Sequence, residues 1–172
     1  KTDEYFFHQS PESLCKDIIS NITFNQDDIV LEPFAGQDNF FKNLPQGITK
    51  YRCEIEDGLD FKDFDYLGIK PNIIITNPPF RLENDKGCKK NAFFDIILYF
   101  AKIDSIKKMY IFCSDYCFNS LTPKRMTKLN ENNLYINGIT TISVKKWKGR
   151  YYLINFGRTK NDSFKYMMTN YE

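Results

Sequence analysis

The chain has 172 residues, of which 42% are hydrophobic and 27% charged, and its formal net charge is only +2. That length suits a single domain, expected to span 1–172, with enough apolar side chains for a real core. No apolar run approaches the roughly twenty residues of a membrane-spanning helix, and no signal-peptide pattern opens the chain. An intracellular protein with no membrane partner is therefore expected, and the initial Lys1 suggests that the chain is trimmed at its start. Five cysteines (15, 53, 88, 113 and 117) form no Cys-x-x-Cys pair. Reduced thiols are the expectation, with no metal site.

In chain order, Ser10-Pro11 precedes an amphipathic stretch, Glu12–Ile22, that reads as a helix. Ser10 would be its cap, Pro11 would sit in its first turn, and Glu12 would lie near the positive end of the dipole. Ile29–Leu31 is a short hydrophobic strand running into Glu32-Pro33-Phe34-Ala35-Gly36-Gln37-Asp38. Small residues such as Ala35 and Gly36 let the backbone approach a ligand closely. Tyr51-Arg52-Cys53 leads into an acidic turn, Glu54-Ile55-Glu56-Asp57, followed by Gly58-Leu59-Asp60-Phe61. Only five residues separate Glu54 from Asp60, too few for a helix and its connections, which need about ten.

Ile73–Ile75 is a β-branched run suited to a buried strand, and Asn77-Pro78-Pro79-Phe80 ends it, because two prolines have no N–H to give a ladder. A polar amide, a rigid turn and an aromatic ring thus stand at the carboxyl end of a parallel strand, where open α/β sheets bind ligands. The Asn77 side-chain carbonyl and the Pro78 backbone carbonyl can accept both N–H groups of a planar amine. Such an amine is a poor nucleophile while its lone pair is delocalised, and two acceptors favour the pyramidal form that frees it. Phe80 offers a face for a planar ring. Beyond it, Lys89–Ile103 carries a helical apolar face at 93, 94, 97, 98 and 101, and Lys108–Cys113 reads as the next strand. Phe118–Asn133 is a loop-and-helix stretch, and Ile139–Val144 and Tyr151–Phe156 are strands joined through Lys145–Arg150 at the sheet edge.

Together, Glu32-Pro33-x-x-Gly36 and Asn77-Pro78-Pro79-Phe80 resemble the class I S-adenosylmethionine-dependent methyltransferases, and among them the Asn-Pro-Pro-aromatic enzymes that methylate the 6-amino group of adenine in DNA. The resemblance implies a Rossmann-like α/β sheet, mostly parallel with one antiparallel edge strand and ordered 2-1-4-5-7-6 in family terms. The third strand and its helix are expected to be missing, as in short phage and microbial members. It implies S-adenosylmethionine as cofactor, with Ser10, Pro11, Glu32, Phe34, Ala35, Gly36, Glu54, Ile55, Asp60 and Phe61 as its binding residues. Glu54 would accept from the ribose hydroxyls and Asp60 from the adenine amine. Asn77, Pro78, Pro79 and Phe80 would form the catalytic set. Family members often have a second glycine where this chain has Asp38.

Charge is divided along the chain. Residues 1–100 hold 11 Lys/Arg against 17 Asp/Glu, whereas residues 101–172 hold 13 against 5. The basic half interleaves cations with rings at Lys145-Lys146-Trp147-Lys148-Gly149-Arg150 and carries Lys124-Arg125 nearby. Phosphates attract the cations and bases stack on the rings, so Lys124, Arg125, Lys145, Lys146, Trp147, Lys148 and Arg150 are the expected nucleic-acid contacts, with DNA favoured over RNA. No segment is long enough for a target-recognition domain, which leaves weak specificity, a short target, or a partner subunit that supplies recognition. Adenine methylation in RNA, glutamine methylation in a protein, and an inactive nucleic-acid-binding subunit stay open as alternatives.

Overall fold

The structure is a computed structural model that describes residues 11–79, 81–83, 89–145, 147–161 and 165–171. Three aliphatic runs found the sheet: β1 (Ile29–Glu32), β3 (Ile73–Thr76) and β6 (Lys108–Ser114) lie side by side and parallel. β2 (Thr49–Arg52) flanks β1 on its other side, also parallel. β7 (Tyr135–Val144), β8 (Tyr151–Gly157) and β9 (Lys165–Tyr171) complete a seven-stranded sheet ordered β2-β1-β3-β6-β8-β7-β9. β8 is the one strand antiparallel to its neighbours, inserted between β6 and β7, while β9 adds a parallel strand beyond β7.

The first six positions reproduce the expected order. Among the described residues, only a 3-10 turn over 55–57 fills the interval between Glu54 and Asp60, and β2 is left at the sheet edge. Sequence reasoning did not foresee β9 or the two-stranded hairpin β4 (Arg81–Glu83) with β5 (Lys89–Asn91). That hairpin shortens the helix expected from Lys89. α3 begins instead at Phe93 and runs to Ala101, because the Asn91 side chain accepts the Phe93 N–H at 3.1 Å. α1 spans Glu12–Ser20, with Pro11 at the cap position in extended backbone; Ser10, the expected cap, lies outside the described residues.

Alternation on the central strands divides the core. Val30, Ile73 and Ile75 pack with Leu14, Cys15, Ile18 and Ile19 of α1 on one face. Leu31 and Ile74 pack on the other with Phe93, Ile96, Ile97 and Phe100 of α3. Successive side chains of a strand point to opposite faces, so a strand apolar at every position, such as β3, needs cover on both. α2 (Tyr66–Ile69), α4 (Asp115–Asn119) and α5 (Pro123–Glu131) complete the fold. Among the described residues no helix is long and apolar enough to cross a membrane.

Two polar staples fix the amino end of the sheet. The Asn72 side chain accepts from Ile29 N–H at 2.7 Å and donates to buried Asp28 at 2.8 Å, tying the start of β1 to the start of β3. Arg158, just past β8, serves the helix ends. Its guanidinium donates to Ala101 O at the last residue of α3, to Ile103 O just past it, to Asn132 O beyond α5, and to Ile106 O, all within 2.8–3.0 Å. The last carbonyls of a helix lack internal partners and carry partial negative charge, which a cation satisfies twice over. Arg158→Ala should therefore cost at least about 2–3 kcal/mol in urea unfolding, since several carbonyls lose a charged donor together. Arg158→Lys should recover little of it, because one ammonium cannot span the fork. A loss below about 0.5 kcal/mol, the range of ordinary surface substitutions, would show that water replaces the guanidinium.

Candidate functional site

At their carboxyl ends the strands release three segments side by side. β1 leads into Pro33–Asp38, β2 into Cys53–Asp57, and β3 into Asn77–Pro79, with β1 in the middle. The chain moves outward from β1 to β2, then returns to the far side of β1 for β3. This reversal is the switch point at which an open α/β sheet leaves a crevice. Two backbone bonds carry the β1–β2 ladder past the strands: Cys53 N–H to Glu32 O at 2.8 Å and Ala35 N–H to Cys53 O at 3.0 Å.

Glu54 closes this pairing. Its carboxylate accepts the Gly36 N–H at 2.6 Å through one oxygen and the Glu56 N–H at 3.3 Å through the other. It thereby caps the 3-10 turn whose first residue, Ile55, is 69% exposed. Gly36 takes φ 54°, a left-handed value that glycine adopts without penalty, and a Cβ there would meet nothing within 4 Å. The loop thus presents open backbone. Asp60 caps the next 3-10 turn by accepting Lys62 N–H at 2.8 Å. Phe61 behind it is only 3% exposed and sits among Phe34, Tyr99 and Phe100 at ring separations of 4.9, 5.1 and 5.7 Å. It supports the site from beneath, and half-buried Phe34 lies nearer the surface.

Glu32 is buried, with its Oε1 accepting the Phe34 N–H at 3.0 Å. Burial pushes its carboxyl well above the ordinary range, Asp38 and Glu54 add to the rise, and Thr76 and the Phe34 N–H oppose it. The Thr76 hydroxyl is itself fully buried and, although near enough to Glu32 to act on it, closes no hydrogen bond of standard geometry. Next to it, Asn77 is half-buried, Pro78 buried and Pro79 half-buried. Phe80, expected as the stacking face, lies outside the described residues, as do Ser10 and Lys146. Pro11 accepts Cys15 N–H at 3.1 Å as the first turn of α1.

The donor and acceptor set fits S-adenosylmethionine. A carboxylate with lone pairs to spare at Glu54 suits a diol, exposed Ile55 suits a flat apolar ring, Asp60 suits an exocyclic amine, and the Gly36 turn allows close backbone approach. Sequence reasoning missed two members of this end. Asp38 also stands in left-handed backbone, at φ 64°, and Arg52 bridges it to Asp57. A non-glycine residue in the place of a second glycine, with an arginine at the end of the next strand, was the available signal.

Of the expected nucleic-acid residues, those described fall on the segments that follow β6 and precede β8. Pairing of Ser114 with Tyr151 places the 145–150 connection at the carboxyl end of β6. Lys145, Lys148 and Arg150 are exposed, and Arg150 reaches Asp115 at 3.9 Å. Lys124 is exposed at the start of α5, and Arg125 there donates to Ser120 O at 2.8 Å and covers the Phe94 ring at 5.2 Å. Trp147 turns inward: its ring packs 4.8 Å from Tyr151 and 6.2 Å from Phe112. The ring is half-buried, so one part of it packs while the rest meets solvent.

No family model matches the chain, and no curated protein matches it by sequence. Solved structures do. A candidate class I S-adenosylmethionine-dependent methyltransferase from Listeria monocytogenes superposes with a TM-score of 0.62 at 14% identity, over 94% of this chain and 65% of that one. The modification subunit of a candidate type I restriction enzyme from Vibrio vulnificus gives 0.62 at 13% identity, over 96% of this chain and 47% of that one. The M protein of the type I restriction enzyme EcoKI gives 0.56 at 11% identity, over 94% and 48%. This chain therefore spans about half to two thirds of the length of these proteins, and what it shares with them is the Rossmann-like fold of class I methyltransferases.

Proposed function

We propose that the chain is an S-adenosylmethionine-dependent methyltransferase acting on the exocyclic 6-amino group of adenine in DNA. The observation that carries the reading is the placement of Asn77-Pro78-Pro79 at the end of β3, across β1 from the Gly36–Glu54 pair. One side of the crevice then holds a nucleoside and the other an amine. Structural likeness to a modification subunit of a candidate type I restriction enzyme and to the M protein of the restriction enzyme EcoKI supports DNA as the target.

Bound S-adenosylmethionine supplies a methyl group on a positively charged sulfur, which keeps the bonding pair when the methyl leaves. The chain's own residues orient and activate the amine. Asn77 Oδ1 accepts one N–H and the Pro78 carbonyl the other, which turns the nitrogen lone pair out of the ring plane and towards the methyl. Both prolines fix the backbone, so the two acceptors need no reorganisation when positive charge develops on nitrogen. The nitrogen then releases its extra proton to solvent. The base reaches this position out of its stack, which costs a few kcal/mol in a duplex and less in a single strand. Incubation with methyl-labelled cofactor and separate DNA, RNA and protein pools tests the reading. Label in N6-methyladenine of DNA supports it; label confined to RNA, or to glutamine of a protein, replaces the substrate; and nucleic-acid binding without label indicates an inactive subunit.

Asn77→Ala should lower the methyl-transfer rate on the order of a hundred- to a thousandfold, the usual effect of losing one such acceptor, while calorimetric cofactor affinity stays close to wild type. Near-normal turnover would sink the mechanism. Glu54→Ala should weaken cofactor binding roughly ten- to a hundredfold, because a charged hydrogen-bond partner is worth about 1.5–3 kcal/mol. If Glu56→Ala has this effect and Glu54→Ala does not, the ribose contact belongs to the other carboxylate. Neutralising Lys145, Lys146 and Lys148 together should weaken DNA binding at every sequence and flatten its salt dependence, by up to about 0.7–0.9 units of slope per lost phosphate contact. An unchanged slope would show that these cations meet only water.

A further inference from the structure

We propose that Asp38 and Arg52 are a pair of positioning residues: the guanidinium holds a non-glycine residue in left-handed backbone and so keeps the 33–38 loop fitted against Glu54. Its consequence for the cofactor rests on the function proposed above; the conformational part does not.

The loop places Gly36 at φ 54° and Asp38 at φ 64°, two left-handed residues within three positions. Glycine enters that region freely, whereas an L side chain there crowds the following carbonyl, and aspartate is only better tolerated than most. Two backbone bonds depend on this geometry: Asp38 N–H to Ala35 O and Lys42 N–H to Asp38 O, both 2.8 Å. The Asp38 carboxylate is anchored from outside the loop, Oδ1 lying 2.5 Å from Arg52 Nη1. The second arm of the same guanidinium holds Asp57, at the end of the turn that Glu54 caps. Arg52 is the last residue of β2, two positions before Glu54. One fork therefore ties the loop to both flanks of the carboxylate that grips Gly36 N–H.

Electrostatics argue the same way. Glu32, Asp38, Glu54 and Asp57 converge here, and Arg52 is the cation that the structure sets among them: Asp38 first, then Asp57 and Glu54, hold its proton more firmly than usual. A single exposed ion pair is worth little for stability. A bridging fork that selects one backbone conformation acts instead on the shape of the loop, and a lysine, a point charge, replaces only part of it.

A substitution cycle distinguishes this role from a plain surface pair. In Arg52→Gln, amide exchange at Gly36 and Asp38 should quicken in protein without added cofactor. Calorimetric affinity for S-adenosylmethionine should fall about five- to thirtyfold, equivalent to the roughly 1–2 kcal/mol that left-handed backbone costs an L residue. Asp38→Gly in the Arg52→Gln background should restore both readouts, since glycine needs no anchor, whereas Asp38→Ala should not. Arg52→Lys should show the same order at smaller amplitude, which keeps the test available should Arg52→Gln fail to fold. Wild-type exchange in Arg52→Gln, or equal recovery by alanine and glycine, would overturn the proposal. If the exchange pattern holds but the unsubstituted protein binds no S-adenosylmethionine, the cofactor reading fails and the anchoring role stands.

Discussion

A parallel sheet covered on both faces has room for polar chemistry only at its ends. β3 is buried along its whole length, with α1 below and α3 above the central strands, so each carboxylate and amide of interest lies where a strand stops. The two ends are put to different uses. At the amino end, Asp28, Asn72 and Arg158 spend their hydrogen bonds on one another's neighbours within the chain: Asn72 bonds Asp28 and the Ile29 N–H, and Arg158 bonds backbone carbonyls. At the carboxyl end, Glu54, Asp60 and Gly36 hold short turns together while leaving acceptor capacity and open backbone towards solvent. Segregation of this kind lets the fold tolerate change at one end without disturbing the other.

Local chemistry decided which parts of this were legible in the sequence. Asn77-Pro78-Pro79 and Glu32-Pro33 could be placed because proline, with no N–H to give, ends a strand in the interior of a sheet, and the five residues between Glu54 and Asp60 were too few for a helix and its connections. These are constraints on the chain alone. β9 was missed because its partner β7 is distant in sequence, and the β4–β5 hairpin because Lys89–Asn91 carries no apolar alternation to announce a strand. Arg158 was missed for a related reason. Its five hydrogen bonds go to carbonyls, which every residue has, so no spacing of side chains marks its role.

Trp147 has a packing role that composition alone does not announce. A lone tryptophan among lysines reads as a platform for bases, and in the structure the half-buried ring also packs beside Phe112 and Tyr151 against the α1 face of the sheet. The cations around it keep the rim position that the strand pairing gives them. For the binding proposed above, charge is the part that the salt slope reads directly. Asp38 is the opposite case. It is a departure from the glycine expected there, but the backbone keeps a left-handed φ and Arg52 supplies the anchor.

Glu32 carries the cost of this arrangement. Burial raises its pKa well above that of an ordinary glutamate, and Asp38 and Glu54 raise it further. The folded chain thus keeps the proton over a pH range in which the unfolded chain has released it, so ionisation of Glu32 opposes folding. By linkage, its penalty is absent below the ordinary glutamate range, grows as pH rises, and is complete above the raised value. A glutamine would remove that penalty, and an apolar side chain would also spare the desolvation of a carboxylate. A fold selected for stability alone has no reason to place an acid there, beside a buried Thr76 hydroxyl that lacks a partner of good geometry. A buried acid beside an unsatisfied hydroxyl at the switch point is a local cost of the kind that marks a candidate ligand site.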